Sequence, residues 1–130
     1  MRPRVLVVDD DFSVAMLHRR FVEDHGGFEV IGVAHSGEDA LHMVATATPD
    51  LVLLDVFLPD LSGIEVLRQI RAMENTAHVD VIAITAAREL DTVRAAMAGG
   101  VLHYLVKPFT AATLRERLGD YLRHYEEVRR

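Results

Sequence analysis

Residues 5–11 read VLVVDDD, and this stretch decides the fold class. It begins with four consecutive apolar residues, three of which are the β-branched valine. A run of this kind favours a strand buried on both faces, because a half-exposed strand alternates apolar and polar side chains. Strands buried on both faces are typical of parallel sheets that lie between two layers of helices. The stretch therefore predicts an α/β protein with three aspartates at the carboxyl end of its first strand.

Four more apolar runs follow along the chain, at residues 28–33, 51–54, 79–84 and 101–106. Helical patterns lie between the runs, and four helices begin after residues that cap helices well, namely Ser13, Ser36, Ser62 and Thr110. Five strand and helix units in succession predict a doubly wound α/β domain with right-handed crossovers. In so short a chain the common arrangement is flavodoxin-like, a five-stranded parallel sheet in the order 2-1-3-4-5.

The composition limits the classes of function that the chain can serve. Its 130 residues, half of them apolar, fit a single domain. Twenty acidic and 14 basic residues give a net charge of −6, which disfavours direct binding of nucleic-acid phosphates by this segment. The absence of cysteine excludes disulfides and thiolate zinc sites. The apolar run near the start is too short for a signal peptide or a membrane span, so we predict a cytoplasmic protein.

Polar side chains follow four of the five predicted strands. They are the aspartates at 9–11, Asp55, Thr85 and Lys107, after strands one, three, four and five. Any one of them alone is weak evidence, because polar residues often begin turns after strands. In the order 2-1-3-4-5, however, strands one and three are neighbours, and open α/β sheets bind ligands where their carboxyl ends meet. The four positions together predict a functional site at this edge.

The acids at this edge predict a site for a hard cation. Two carboxylates about 5 Å apart repel by roughly 3 kcal/mol at an effective dielectric constant near 20, so either a proton or a cation must offset the charge. Carboxylates without histidine or cysteine favour Mg2+ in a site that also handles phosphate. We predict that Asp10 and Asp55 bind the ion directly, that Asp9 acts through a bound water, and that the Phe57 backbone carbonyl completes the protein's ligands. Asp11 is expected to belong to the turn before helix one.

Lys107 is the only lysine in the sequence, beside 13 arginines. A compact ammonium works as a point charge beside a carboxylate or phosphoryl oxygen, where a planar guanidinium needs more room. Pro108 follows directly, and we expect a cis peptide bond in a tight turn there. The Thr85 hydroxyl offers a donor for a phosphoryl oxygen, although a threonine is also an ordinary strand residue.

Residues 7–11, 53–63, 84–86 and 107–109 together resemble the receiver domains of two-component response regulators, in order and over essentially the whole chain. The resemblance implies that Asp55 is phosphorylated and that Asp9 and Asp10 hold Mg2+. It also implies that Thr85 and Lys107 contact the phosphoryl group. Further residues carried over are Tyr104 as the aromatic switch residue, and Phe57 and Ala87 as positions that tune hydrolysis of the acyl phosphate.

The resemblance implies a signalling switch and not an enzyme. A sensor histidine kinase would donate the phosphoryl group, and the face formed by helix four, strand five and helix five would change shape. A mixed-charge surface on that face predicts a homodimer, although a solvated face is an equal alternative. Its charged residues are Arg88, Glu89, Asp91, Arg94, Arg115, Arg117 and Asp120. Residues 84–88, 92–94 and 104–109 are similar to those of citrate- and dicarboxylate-responsive transcriptional regulators. Residues 1–125 would form the receiver domain, and residues 126–130 the end of helix five or the start of a linker to an output domain that the sequence lacks.

A haloacid-dehalogenase-type phosphohydrolase is the strongest alternative. Asp9 would be its nucleophile, and Asp11, Thr85 and Lys107 imitate parts of its motifs. Against this alternative, Asp55 would be idle and no pair of aspartates follows the lysine, only Asp120. A flavin-binding flavodoxin is a weaker alternative, because a triply acidic loop repels phosphate.

Seven histidines show no metal-ligand spacing and are predicted to lie at the surface or its boundary.

Overall fold

The structure is a computed structural model, and it describes residues 2–86 and 90–129. Strands and helices alternate in the order that the sequence predicts. The strands are β1 Arg4–Val8, β2 Glu29–Ala34, β3 Leu51–Asp55, β4 Asp80–Thr85 and β5 His103–Val106. The helices are α1 Phe12–His25, α2 Gly37–Ala47, α3 Gly63–Ala72, α4 Leu90–Ala98 and α5 Ala111–Val128. Within residues 2–86 and 90–129, no helix combines the length and apolar character that crossing a membrane requires.

The sheet is parallel and has the strand order β2-β1-β3-β4-β5, which confirms the predicted flavodoxin-like topology. The register aligns the carboxyl ends of the central strands. Val8 pairs with Leu54, and Asp55 pairs with Ile84. Thr85, in turn, pairs with Val106. The residues at or just after the carboxyl ends of β1, β3, β4 and β5 therefore lie at one edge.

Two apolar layers bury the sheet, as the continuous apolar runs predict. Leu6, Val8 and Leu54 point to the layer that includes α2 and α3. Their neighbours Val7 and Leu53 point to the opposite layer, which includes α1 and α5. Burial of each such side chain stabilises the fold by about 1.5–3 kcal/mol. The rigid sheet fixes the direction in which the strand ends present their polar residues.

Three of the four predicted helix caps are confirmed. Ser36, Ser62 and Thr110 each accept a hydrogen bond from the backbone amide three residues later. The prediction that Ser13 caps α1 was wrong. Asp11 is the cap, and its carboxylate accepts from the amide of Val14 at 3.1 Å. Asp11, two residues before Ser13, already accepts a hydrogen bond from an amide of the first turn, so the helix begins at Phe12.

Some strand boundaries also differ from the prediction. β5 begins at His103 and not at residue 101, because the amide of Val101 still donates to the carbonyl of Ala96 at the end of α4. β2 begins at Glu29, one residue later than predicted. α5 continues to Val128, so the helix extends past residue 125. These shifts leave the strand ends that carry the site unchanged.

Candidate functional site

Three aspartates from two strand ends form an acidic cluster. Asp9 and Asp55 are buried, with only 1% and 3% of their surfaces exposed, whereas Asp10 is exposed. Each of the three offers a carboxylate oxygen, and these atoms lie within 4.8 Å of one another. The cluster arises because β1 and β3 are neighbours whose ends stand at the same level. The structure thus brings together the acids that the sequence assigned to one edge.

Lys107 reaches into this cluster from the end of β5. Its Nζ lies 2.9 Å from Asp9 Oδ2 and 3.2 Å from Asp55 Oδ2. Burial lowers the pKa of Lys107, but the bond to Asp9 and the charges of both carboxylates outweigh it, so the net shift is upward. The side chain therefore remains an ammonium at neutral pH. The Lys107–Pro108 peptide bond is cis.

A backbone amide holds the second oxygen of each buried carboxylate. Asp9 Oδ1 accepts from the amide of Asp11 at 2.9 Å, and Asp55 Oδ1 accepts from the amide of Phe57 at 3.0 Å. Burial raises the pKa of Asp55, against the lowering effects of the Phe57 amide and of Lys107. The charge of Asp9 raises that pKa further. Both carboxylates are thus fixed in direction by their own loops.

The charge and chemistry of the cluster fit a divalent cation. Three carboxylates face one ammonium, which leaves an excess of two negative charges when all are ionised. The donors are all oxygen atoms, which suit a hard ion better than a soft one. Asp9, Asp10 and Asp55 could therefore hold a metal ion such as Mg2+. The predicted contribution of the Phe57 carbonyl stays a prediction.

Thr85 lies next to Lys107 at the end of β4. Its carbonyl oxygen accepts a hydrogen bond from the Lys107 amide at 2.8 Å, and its surface is fully buried. Tyr104 belongs to β5, is half-buried, and packs against the apolar layer that includes α2 and α3. The roles of both residues in a switch stay predictions.

The two predicted tuning positions differ in what the structure describes. The Phe57 side chain is 54% exposed beside the cluster, while its amide contacts Asp55. Ala87 lies outside the described residues, as do Arg88 and Glu89 of the predicted helix-four face.

The prediction that all histidines lie at the surface or its boundary was wrong for His18. This residue is 5% exposed, and its ring centroid lies 5.0 Å from that of Phe109. Burial lowers the pKa of His18. Its spacing from the buried residues Ala15 and Val22 places it on the inner face of α1, which the helical period could have indicated.

Sequence reasoning also missed two residues in the loops around the site. The Nδ1 atom of His35 lies 3.0 Å from the carbonyl oxygen of Asp9. The carboxylate of Asp60 accepts from the amides of Gly37 at 2.8 Å and Glu38 at 2.9 Å, and so caps α2 from the β3–α3 loop. His35 follows β2 directly, so the rule applied to the other strand ends could have found it. Asp60 gives no such signal, because its partners are remote in sequence.

Comparison with known proteins gives the family. Residues 5–119 match the response regulator receiver domain. The chain is 42% identical over 125 residues to the transcriptional regulatory protein CitT of Halalkalibacterium halodurans, a match that covers 95% of this chain and 54% of that protein. It is 41% identical over 119 residues to the transcriptional regulatory protein MalR of Bacillus subtilis, covering 92% of this chain and 50% of that protein. The chain thus spans about half the length of these curated relatives.

A solved structure agrees with the sequence matches. The response regulator receiver domain protein of Methanospirillum hungatei superposes with a TM-score of 0.88 at 25% identity, over 98% of each chain. Family, relatives and fold therefore agree over nearly the whole sequence. The chain belongs to the receiver domains of two-component response regulators, which act as phosphorylation-dependent signalling switches.

Proposed function

We propose that Asp55 accepts the phosphoryl group and that Asp9, Asp10 and Asp55 hold the Mg2+ ion that the transfer requires. The observation that carries the proposal is the position of Asp55 in the sheet. It ends the middle strand, with the acids of β1 on one side and the buried Thr85 of β4 on the other. A phosphoryl group on Asp55 would therefore have a cation site and a hydroxyl group on opposite sides.

Asp9 is less suited to be the acceptor. It follows β1, whose other neighbour is β2, so it lies one strand farther than Asp55 from β4, which carries Thr85. A nucleophile there would lack a threonine at the adjacent strand end, because β2 ends in Ala34. Neither the family match nor the relatives support the haloacid-dehalogenase alternative.

Phosphoryl transfer requires the protein mainly to position the reacting groups and to neutralise their charge. An Asp55 carboxylate oxygen attacks the phosphorus of a phosphohistidine on a sensor kinase, the phosphorus–nitrogen bond breaks, and the imidazole leaves with that electron pair and takes a proton from solvent. Bound Mg2+ supplies charge neutralisation for the phosphoryl oxygens. Lys107 offsets the remaining negative charge, because its Nζ already contacts Asp55. The product is a mixed anhydride on Asp55.

The signal is proposed to pass through Thr85 and Tyr104. The phosphoryl group brings about two negative charges and strong acceptor oxygens, which draw the Thr85 hydroxyl toward Asp55. Tyr104 then turns into the space that Thr85 leaves, and the face formed by α4, β5 and α5 changes shape. Contacts that differ between the two states set how far this equilibrium moves. Phe57 and Ala87 are proposed to tune how readily water hydrolyses the anhydride.

The output is proposed to be transcription, through a DNA-binding domain outside this chain. The supporting fact is that relatives of about twice its length are named as transcriptional regulatory proteins.

A homodimer through the α4–β5–α5 face on phosphorylation is the second part of this proposal. Its supporting residues are five of the charged residues on α4 and α5, namely Asp91, Arg94, Arg115, Arg117 and Asp120.

Phosphorylation by acetyl phosphate tests the proposal directly. Wild type, Asp55→Asn and Asp9→Asn are incubated with acetyl phosphate and Mg2+, and mass spectrometry locates the label. We expect a label on Asp55 that disappears in Asp55→Asn and that requires Mg2+. A label on Asp9 would support the hydrolase alternative instead. Label that forms equally well after chelation of Mg2+ would contradict the proposed metal site.

A further inference from the structure

His35 contacts the acidic loop from a neighbouring strand. It comes directly after β2, and β2 lies beside β1, the strand that Asp9 follows. Its Nδ1 lies 3.0 Å from the carbonyl oxygen of Asp9. A carbonyl oxygen only accepts hydrogen bonds, so Nδ1 carries the hydrogen and donates it.

This hydrogen bond completes the contacts that hold Asp9. The amide of Asp9 donates to the carbonyl of Ala34 at 3.1 Å. Its carboxylate accepts from the amide of Asp11 and from Lys107, each at 2.9 Å. With the bond from His35, every polar atom of Asp9 has a partner in the described part of the chain.

The contact with His35 also determines the direction of the next residue. The carbonyl of Asp9 and the amide of Asp10 belong to one planar peptide unit. A hydrogen bond to that carbonyl therefore fixes the plane from which the Asp10 Cα atom and side chain leave. Asp10 is exposed and contributes one of the three carboxylates within 4.8 Å of one another. Rotation of the plane would move this carboxylate out of the cluster.

The His35 ring is itself held in place by α1. Its centroid lies 5.5 Å from that of Phe12, with the planes tilted by 33°. Phe12 is the first residue of α1, which the Asp11 cap fixes to the same loop. The imidazole therefore bridges the β2–α2 loop and the loop that carries the acids.

We propose that His35 is a positioning residue that holds the Asp10 carboxylate ready for the divalent cation. This inference rests on the proposed function, since it requires the cation to bind the three aspartates. A donor that fixes a ligand-bearing loop in advance reduces the ordering that binding requires, and so raises affinity. The chemical step at Asp55 does not involve the imidazole. The expected effect is therefore on Mg2+ affinity and not on the rate at saturating Mg2+.

Three substitutions at His35 distinguish loss of the Nδ1 donor from loss of the imidazole ring. His35→Asn keeps an N–H donor on the atom attached to Cγ, where Nδ1 stands in histidine. His35→Gln moves the donor one bond farther from the backbone, and His35→Leu removes it at similar volume. His42→Leu is the matched control, because His42 is exposed on α2 and its described hydrogen bond uses only its backbone carbonyl.

Calorimetric titration with Mg2+ and the NMR shifts of the Asp10 and Asp11 amides test the proposal. We expect His35→Leu and His35→Gln to raise the Mg2+ Kd by about tenfold, as loss of an outer-shell partner typically does, and His35→Asn to stay within about threefold of wild type. The control stays at the wild-type Kd. The rate of phosphorylation by acetyl phosphate at saturating Mg2+ changes by less than about twofold in all of them.

Three outcomes would overturn the inference: an unchanged Kd in His35→Leu, an equal loss of affinity in His35→Asn and His35→Leu, or a lower saturating rate at unchanged Kd. If His35→Leu does not fold, the comparison of Asn with Gln decides the question. Failure of the proposed function is distinguishable, because it would appear in the wild-type protein as an absence of Mg2+ binding. That result needs no His35 variant.

Discussion

Lys107 Nζ lies 3.2 Å from Asp55 Oδ2, although the two residues are 52 positions apart in the chain. The same ammonium is 2.9 Å from Asp9 Oδ2, and the Lys107 side chain is only 22% exposed. One cation thus pairs with two buried carboxylates at the ends of adjacent strands. This arrangement gives Lys107 a part in stability besides its proposed contact with the phosphoryl group.

We expect Lys107→Met to lower the free energy of unfolding by about 1–3 kcal/mol at neutral pH without Mg2+, because two buried carboxylates lose their cation. The loss is below the roughly 3–5 kcal/mol of a fully buried pair because the Lys107 side chain is 22% exposed. Urea unfolding followed by circular dichroism measures this change. Saturating Mg2+ should recover part of the loss, since a ligand that binds only the folded state stabilises it.

Arg129→Met is the control for this substitution. Arg129 pairs with Asp50 at 3.1 Å, but its side chain is 45% exposed. Its guanidinium also lies 3.7 Å from the centroid of the Tyr125 ring, so its loss should cost about 1 kcal/mol, as for exposed ion pairs and cation–π contacts. If Lys107→Met unfolds at the wild-type urea concentration, the ammonium makes no net contribution to stability.

Asp55→Asn should change how stability depends on pH. Burial raises the pKa of Asp55 above the usual 3.8, so the folded state binds this proton more tightly than the unfolded chain does. Ionisation of Asp55 therefore lowers stability as pH rises from 3.8 to the raised value. Without Mg2+, we expect the free energy of unfolding of Asp55→Asn to exceed that of wild type. This margin should grow as pH rises from 3.8 to the raised pKa of Asp55, and it should stay constant at higher pH. Urea unfolding at a series of pH values measures the margin, and a margin that shrinks as pH rises would contradict the prediction.

The fold could be predicted because its main determinants are local. Strands buried on both faces leave continuous apolar runs, and caps such as Ser36 and Ser62 act within one helical turn. The error at Ser13 arose where two capping residues stand close together, and only the backbone geometry at Asp11 selects between them. The start of β5 depends on which carbonyl oxygen accepts from the amide of Val101. The apolar pattern does not show this partner.

The site was predictable only in part, because some of its contacts join distant segments. Residues at strand ends, such as Asp55 and Lys107, follow from topology alone. Asp60 instead caps a helix from 22 and 23 positions away, which no local pattern reveals. The place of His35 directly after β2 could have indicated it, but its partner could not be predicted, because His35 contacts Asp9 through a backbone carbonyl.

The proposed dimer predicts a change in mass on activation. Beryllofluoride with Mg2+ mimics the phosphoryl group, and we expect light scattering to show a shift from monomer toward dimer. Asp120 already pairs within its own chain with Arg117 at 3.4 Å and with Arg123, whereas Arg94 is an exposed charge on α4 of the proposed face. Arg94→Glu should therefore keep the protein monomeric.

Arg20→Glu serves as the control for the dimer, since Arg20 is exposed on α1, a helix outside the proposed face. It should dimerise as wild type does. A wild-type protein that stays monomeric with beryllofluoride would remove the dimer from the proposal, while leaving phosphorylation of Asp55 untouched.

Gly63→Ala should disturb the acceptor loop through the backbone. A Cβ atom at Gly63 would overlap the carbonyl oxygen of Asp55 and lie 2.5 Å from the Cα of Val56, and backbone atoms cannot turn aside as side chains do. We expect a loss of about 1–3 kcal/mol of unfolding free energy, as for other overpacked sites, with slower phosphorylation by acetyl phosphate because Asp55 must shift. Gly119→Ala is the matched control, because the nearest atom to its Cβ is Arg123 Nη1 at 3.9 Å. This change within α5 should raise stability by up to about 1 kcal/mol and leave phosphorylation unchanged, so equal behaviour of the two alanine variants would refute the role assigned to Gly63.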